Sequence, residues 1–153
     1  MSEPTERVPA LPLEAERVPA FERVDLVHVS LPFVTPFSIS SATWTGKETF
    51  LVRVEGEGAV GWGECVADPD PFYAPETTTS ARHVVAEFLL PLVEPGLTFL
   101  ELDARFGHVR GNRMAKAALE NALVDLAAKA KGVPLHELLG GERKRVPSGI
   151  SIG

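Results

Sequence analysis

Cysteine is nearly absent from this sequence: Cys65 is alone among 153 residues. One thiol excludes an internal disulfide framework and fits a reducing, cytoplasmic compartment. Positive charge is in deficit. Lys and Arg number 15 against 21 Asp and Glu, a net charge of −6, which argues against a nucleic-acid partner. No apolar run approaches the ~20 residues of a membrane span. The first twenty residues are acidic and proline-rich, without the apolar stretch of a signal peptide. The full sequence is 44% hydrophobic, enough for one core in a chain of one-domain length.

The chain divides by composition. Residues 1–20 read as a disordered tail: prolines 4, 9, 12 and 19 remove backbone donors. Within it Glu6-Arg7-Val8-Pro9-Ala10 recurs as Glu16-Arg17-Val18-Pro19-Ala20. Val24–Leu31 reads as a strand with Val27, Val29 and Leu31 on one face, stopping at Pro32. Phe37–Thr43 is rich in small hydroxylated residues and reads as a loop anchored by Phe37. Thr49–Glu55 is a second strand with Phe50, Val52 and Val54 on one face, and Glu55-Gly56-Glu57-Gly58 a turn. Ala59–Cys65 is a third strand whose Gly61 and Gly63 admit a closely packed neighbour.

The period then changes. Asp68-Pro69-Asp70-Pro71 is a stiff loop ending in Phe72-Tyr73, and Pro75 suits the first turn of a helix. Val84, Val85, Phe88, Leu89 and Leu92 form a helical stripe. Thr98 and Glu101 are spaced as a capping box. Asn112 is placed to cap a long helix whose buried face runs from Met114 to Ala130, with Gly132 as its stop. Val146–Ile152 reads as a last strand. Strands first and helices afterwards predict an α+β domain.

No complete catalytic constellation is visible. His28, His83, His108 and His136 lack metal-ligand spacing. Cys65 has no partner in sequence and reads as a buried structural thiol. Asp68 and Asp70 are too few for a cation site. The glycines form neither a phosphate-binding loop nor a nucleophile elbow. Two segments are built to contact something: Phe37–Thr43 and Asp68–Tyr73.

Taken together, three blocks carry a family likeness: Gly61-Trp62-Gly63-Glu64-Cys65, Phe72-Tyr73-Ala74-Pro75-Glu76-Thr77, and the run from Val133 to Gly141. From about Val24 to Gly153 the chain resembles the N-terminal part of the enolase superfamily. Pro36-Phe37 with the following serines, the run Gly111–Glu120, and Val146–Gly153 resemble its o-succinylbenzoate synthase / N-acylamino acid (N-succinylamino acid) racemase branch. The synthase dehydrates a menaquinone precursor; the racemase inverts an N-acylated α-carbon.

The resemblance implies a capping domain, residues 21–145, made of a three-stranded antiparallel meander followed by helices. Residues 146–153 would be the first strand of a (β/α)8 barrel of about 250 residues, the rest of which is absent. In such enzymes a divalent metal, usually Mg²⁺, binds the substrate carboxylate, and barrel lysines move the α-proton. The metal ligands and lysines lie on later barrel strands. The resemblance thus implies no catalytic residue and no metal ligand in this chain, no metal bound by it, and no activity from it alone. By position Phe37 and Ser41 match the first substrate-specificity loop, Asp68 and Tyr73 the second, and Ser151 a substrate-side position at the end of the first barrel strand. Ser41 and Asp68 make these loops more polar than relatives' loops. The implied partners are a small-molecule carboxylate substrate, the C-terminal barrel, and further copies in a full-length homo-oligomer. The alternatives are the cap of a cycloisomerase or dipeptide epimerase, or a stand-alone interaction module without chemistry.

Overall fold

A computed structural model describes residues 11–39 and 42–150. The expected α+β architecture is present, with a three-stranded antiparallel sheet in the order β1-β2-β3 followed by helices. The strands are β1, Arg23–Ser38, β2, Thr43–Gly56, and β3, Ala59–Cys65. The helices are α1, Pro12–Ala15, α2, Thr78–Val84, α3, Phe99–Phe106, α4, Arg113–Lys131, and α5, Leu135–Leu138. No helix among the described residues is long and apolar enough to cross a membrane.

The core lies between the sheet and α4. Phe50, Val52 and Val54 alternate inward along β2 and are fully buried, as the period-2 pattern requires. Across from them α4 presents Ala118, Leu119, Ala122 and Leu126, also fully buried. Small residues on both sides bring strand and helix together. A Cβ on Gly61 would lie 2.6 Å from the Leu126 backbone nitrogen, and one on Gly63 2.8 Å from that of Ala122. The glycines of β3 are therefore contact points and not flexible links. Gly132 ends α4 in the left-handed conformation, φ 68°, and Thr98 with Glu101 forms the capping box of α3.

Several expectations fail for identifiable reasons. Strand β1 runs past Pro32 to Ser38, with a register shift between Pro32 and Phe37. It is an edge strand, where a missing N–H costs no ladder bond. Its inward residues are Val24 and Leu26, while Val27 and Leu31 are exposed on the opposite face. Helix α2 begins at Thr78 and not at Pro75, because Thr77 and Ser80 cap each other's backbone N–H groups. Past Val84 the helix widens into a π turn over Val85–Leu89 and tightens into a 3₁₀ turn over Leu90–Leu92. Pro91 has no N–H for the carbonyl four residues back, and its ring crowds that carbonyl. Phe88 is exposed there, its ring nearly perpendicular to that of His83 with centroids 5.5 Å apart.

The ends differ most. Of the tail expected to be disordered over residues 1–20, residues 1–10 lie outside the described residues, and residues 11–20 are packed on the domain, with Val18 2% exposed in the core. At the other end, residues 141–150 are exposed and form no ladder, so the strand expected at Val146 is not seen among the described residues. Nothing in the described chain pairs with it.

Candidate functional site

Strands β1 and β2 pair as a hairpin whose far end, at Phe37 and Ile39, is exposed. Phe37 pairs with Trp44, and Ser38 with Thr43, in the ladder. The Phe37 and Trp44 rings lie 6.2 Å apart, tilted by 31°. A bond from Ile39 N–H to Ala42 O, 2.9 Å, narrows the turn. Phe37, Ser38 and Thr43, expected to lie in a loop, are thus paired at the end of a β-ribbon, and the facing of Phe37 and Trp44 is set by register; residues 40 and 41 lie outside the described residues.

The second segment approaches from the end of β3. Asp68 is held at both ends: its backbone oxygen accepts from Thr78 N–H at 2.8 Å, and its carboxylate accepts from Lys47 Nζ at 3.2 Å. Lys47, on β2, also donates to Val66 O at 3.3 Å. Asp70 Oδ1 accepts from Phe72 N–H at 3.3 Å, an Asx turn that reverses the chain. Phe72 and Tyr73 then stand out, 91% and 83% exposed. Glu76 ends the segment by accepting from the Met114 and Ala115 N–H groups at the start of α4.

Between ribbon and loop is a hollow of about 270 Å³, lined by Phe33, Phe37, Ile39, Trp44, Gly46, Lys47, Asp68 and Tyr73. Its walls are chiefly apolar. Its charged groups, Lys47 and Asp68, are paired with each other. Three of the five residues singled out in the sequence, Phe37, Asp68 and Tyr73, come together here although Phe37 is distant in sequence from the other two. Ser41 and Ser151 lie outside the described residues. Trp44 and Lys47 were missed. Trp44 is legible only once β1 is known to pass Pro36, and Lys47 carries no local signal because its partner is 21 residues away.

The arrangement offers shape, aromatic surface and one ion pair. Cys65 is buried, and burial pushes its thiol above the ordinary value of 9.0, so it is a structural thiol and not a nucleophile. Among the described residues no three His, Cys, Asp or Glu side chains cluster so as to hold a metal ion. A hard divalent cation needs converging oxygen ligands, and the described residues of this domain do not fit one.

A sheet followed by helices around a long α4 is matched by the model of the mandelate racemase / muconate lactonizing enzyme N-terminal domain over residues 22–140. The chain belongs to that family. Among its relatives is an o-succinylbenzoate synthase of Geobacillus stearothermophilus, 45% identical over 135 residues that make up 86% of this chain and 36% of the relative. An N-succinylamino acid racemase of an Amycolatopsis species is 36% identical over 132 residues, 85% of this chain and 36% of the relative. The crystal structure of an enolase-superfamily member from Listeria innocua superposes with a TM-score of 0.74 at 34% identity, covering 80% of this chain and 34% of that one. This enolase-superfamily capping domain spans a little over a third of the length of the relatives it matches.

Proposed function

We propose that this capping domain serves an o-succinylbenzoate synthase or N-succinylamino acid racemase and supplies the wall that recognises the substrate's acyl end. The observation that carries the reading is the convergence of Phe37, Asp68 and Tyr73 on one hollow, in a chain whose relatives include both enzymes. The aromatic walls suit the apolar part of a carboxylate substrate, and the Lys47 ammonium offers a cation to a terminal carboxylate. Closing such a wall over a reacting centre excludes water and strengthens the electrostatics inside. The cytoplasmic chemistry proposed for the whole enzyme is α-proton abstraction assisted by a divalent metal, on a barrel domain that this cap would cover. When bound there, the metal would hold the substrate carboxylate and stabilise the charge developed at the α-carbon. The cap's residues act only on the substrate's far end.

The test is to assay the enzyme carrying this domain for dehydration of the o-succinylbenzoate precursor and for racemisation of N-succinyl amino acids, with and without Mg²⁺. The 153-residue chain alone is expected to turn over neither substrate. Turnover by the chain alone, or an enzyme inert to both substrates, would refute the proposal.

A further inference from the structure

The five residues Glu-Arg-Val-Pro-Ala occur at 6–10 and again at 16–20. The second copy is seated on the domain, and four of its residues make contacts of their own. Glu16 pairs with Lys131 at the end of α4. Arg17 Nη1 donates to Gly96 O at 2.6 Å. Val18 is 2% exposed; its N–H donates to Leu97 O at 2.8 Å, and its carbonyl accepts from Gly96 N–H at 2.9 Å. Ala20 N–H donates to Glu57 Oε1 at 2.9 Å. An antiparallel bridge joins Arg17 to Thr98. This is how an extended peptide is recognised by an exposed backbone edge: main-chain bonds hold it, and alternate side chains select it. The segment lies outside residues 22–140 of the family match.

We propose that the slot between residues 95–98 and the end of α4 is a binding site for the sequence Glu-Arg-Val-Pro-Ala, and that residues 6–10 of the same chain are its second occupant, exchanging with residues 16–20. The first copy brings the same carboxylate for Lys131, the same guanidinium for Gly96 O and the same valine for the core. Its tether is short, so its effective concentration at the slot is high. Exchange places Ala10 beside Phe21 with residues 11–20 looped out, and closure entropy grows only slowly with loop length. The 16–20 register predominates because it alone also seats Leu13 against the core and sets Pro12 beside Gly140.

The experiment is thermal melting of the full chain and of its Val8→Asp, Val18→Asp and doubly substituted forms. Val8→Asp is expected to melt like the parent and Val18→Asp lower. The double variant should fall at least about 3 °C below Val18→Asp, a shift of the size one lost contact gives in a domain this large. Equal melting of Val18→Asp and the double variant would overturn the proposal. A second pair keeps the test decisive if Val18→Asp does not fold. Deleting residues 11–20 joins Ala10 directly to Phe21, and adding Val8→Asp to that deletion should lower its melting by at least about 3 °C; no change would also overturn the proposal. Sedimentation gives the third readout. If Val18→Asp outlasts the double variant only as a concentration-dependent dimer, the first copy fills a neighbouring molecule's slot and exchange within one chain is refuted.

Discussion

Glu76 is bound to Ala115 across the domain: its Oε1 accepts from the Ala115 N–H at 3.0 Å, while Oε2 accepts from Met114 N–H at 3.1 Å. The carboxylate thereby occupies the positive end of a 19-residue helix. Asn112 does not cap it: at φ 51° its side chain turns back and donates to Arg110 O. The same bonds fasten the segment that displays Phe72 and Tyr73. Glu76→Ala is expected to lower stability by about 0.5–2 kcal/mol, the usual range for a lost cap, and Glu76→Gln to retain part of it. Denaturant midpoints check this, together with faster hydrogen exchange at Met114 and Ala115. An unchanged midpoint would mean that water replaces the carboxylate without loss.

The two β3 glycines make a sharper prediction. A Cβ on Gly63 would overlap the Ala118 carbonyl oxygen and approach the Ala122 nitrogen to 2.8 Å. Both obstacles are helix backbone and cannot rotate away. Gly63→Ala should therefore destabilise by about 3 kcal/mol, at the upper end of ordinary overpacking costs. Gly149→Ala, whose Cβ would meet nothing within 4 Å, should change stability by less than about 0.5 kcal/mol. Parallel urea titrations of the two variants decide it, and similar midpoints would show that sheet and helix separate freely.

Legibility in the sequence followed the range of the interaction. The inward face of β2, the Gly61-Trp62-Gly63 alternation, the Thr98–Glu101 cap and the Gly132 stop are each carried by residues within a few positions of one another, although what the two glycines admit, α4, is distant in sequence. Each was readable. Proline misled twice: Pro32 does not end β1 because an edge strand can spare a donor, and Pro75 does not open α2 because the Thr77–Ser80 pair does so more effectively. Val18 reads as part of a tail because prolines 12 and 19 flank it and remove backbone donors, yet one buried valine and backbone bonds to residues 96–98 suffice to seat it. In the candidate site, Phe37, Asp68 and Tyr73 were marked by their segments. Trp44 and Lys47 were invisible, since a strand register and an ion pair spanning 21 residues leave no local pattern.

Glu120, on α4, sets a pH dependence. Burial, and secondarily the negative charge of Asp103, raises its carboxyl above the ordinary value of 4.5. Folding thus favours the protonated acid. The stability associated with it is present in full below about pH 4.5 and is lost as pH rises through the raised folded value. At neutral pH the native state carries a partly desolvated charge, with Glu64 and Asp125 lining the same outer hollow. Glu120→Gln keeps the shape and removes the charge. It is expected to be more stable than the parent at pH 7, with the gap narrowing as pH falls toward 4.5. Denaturant midpoints from pH 4 to 8 test this; a constant gap would show that the carboxyl ionises equally easily folded and unfolded.

Tyr73 separates a role in recognition from one in folding. Its side chain is 83% exposed, so the domain's own core loses almost nothing when it is truncated, and Tyr73→Ala should leave stability within about 0.5 kcal/mol of the parent. Trp44→Ala removes a ring that stacks on Phe37 at 6.2 Å and should cost more, about 1 kcal/mol. In the enzyme proposed to carry this cap, both side chains line the wall facing the substrate's acyl end. Each variant is then expected to lose at least about tenfold in kcat/KM, equivalent to about 1.4 kcal/mol of transition-state binding. The loss should fall mainly on substrates with a succinyl group and less on shorter acyl groups, because only the longer group reaches the hollow. Kinetics with paired substrates, alongside melting of the same variants, provides the check. A Tyr73→Ala enzyme with parental kinetics on both substrates would show that the hollow faces solvent and that acyl recognition lies elsewhere.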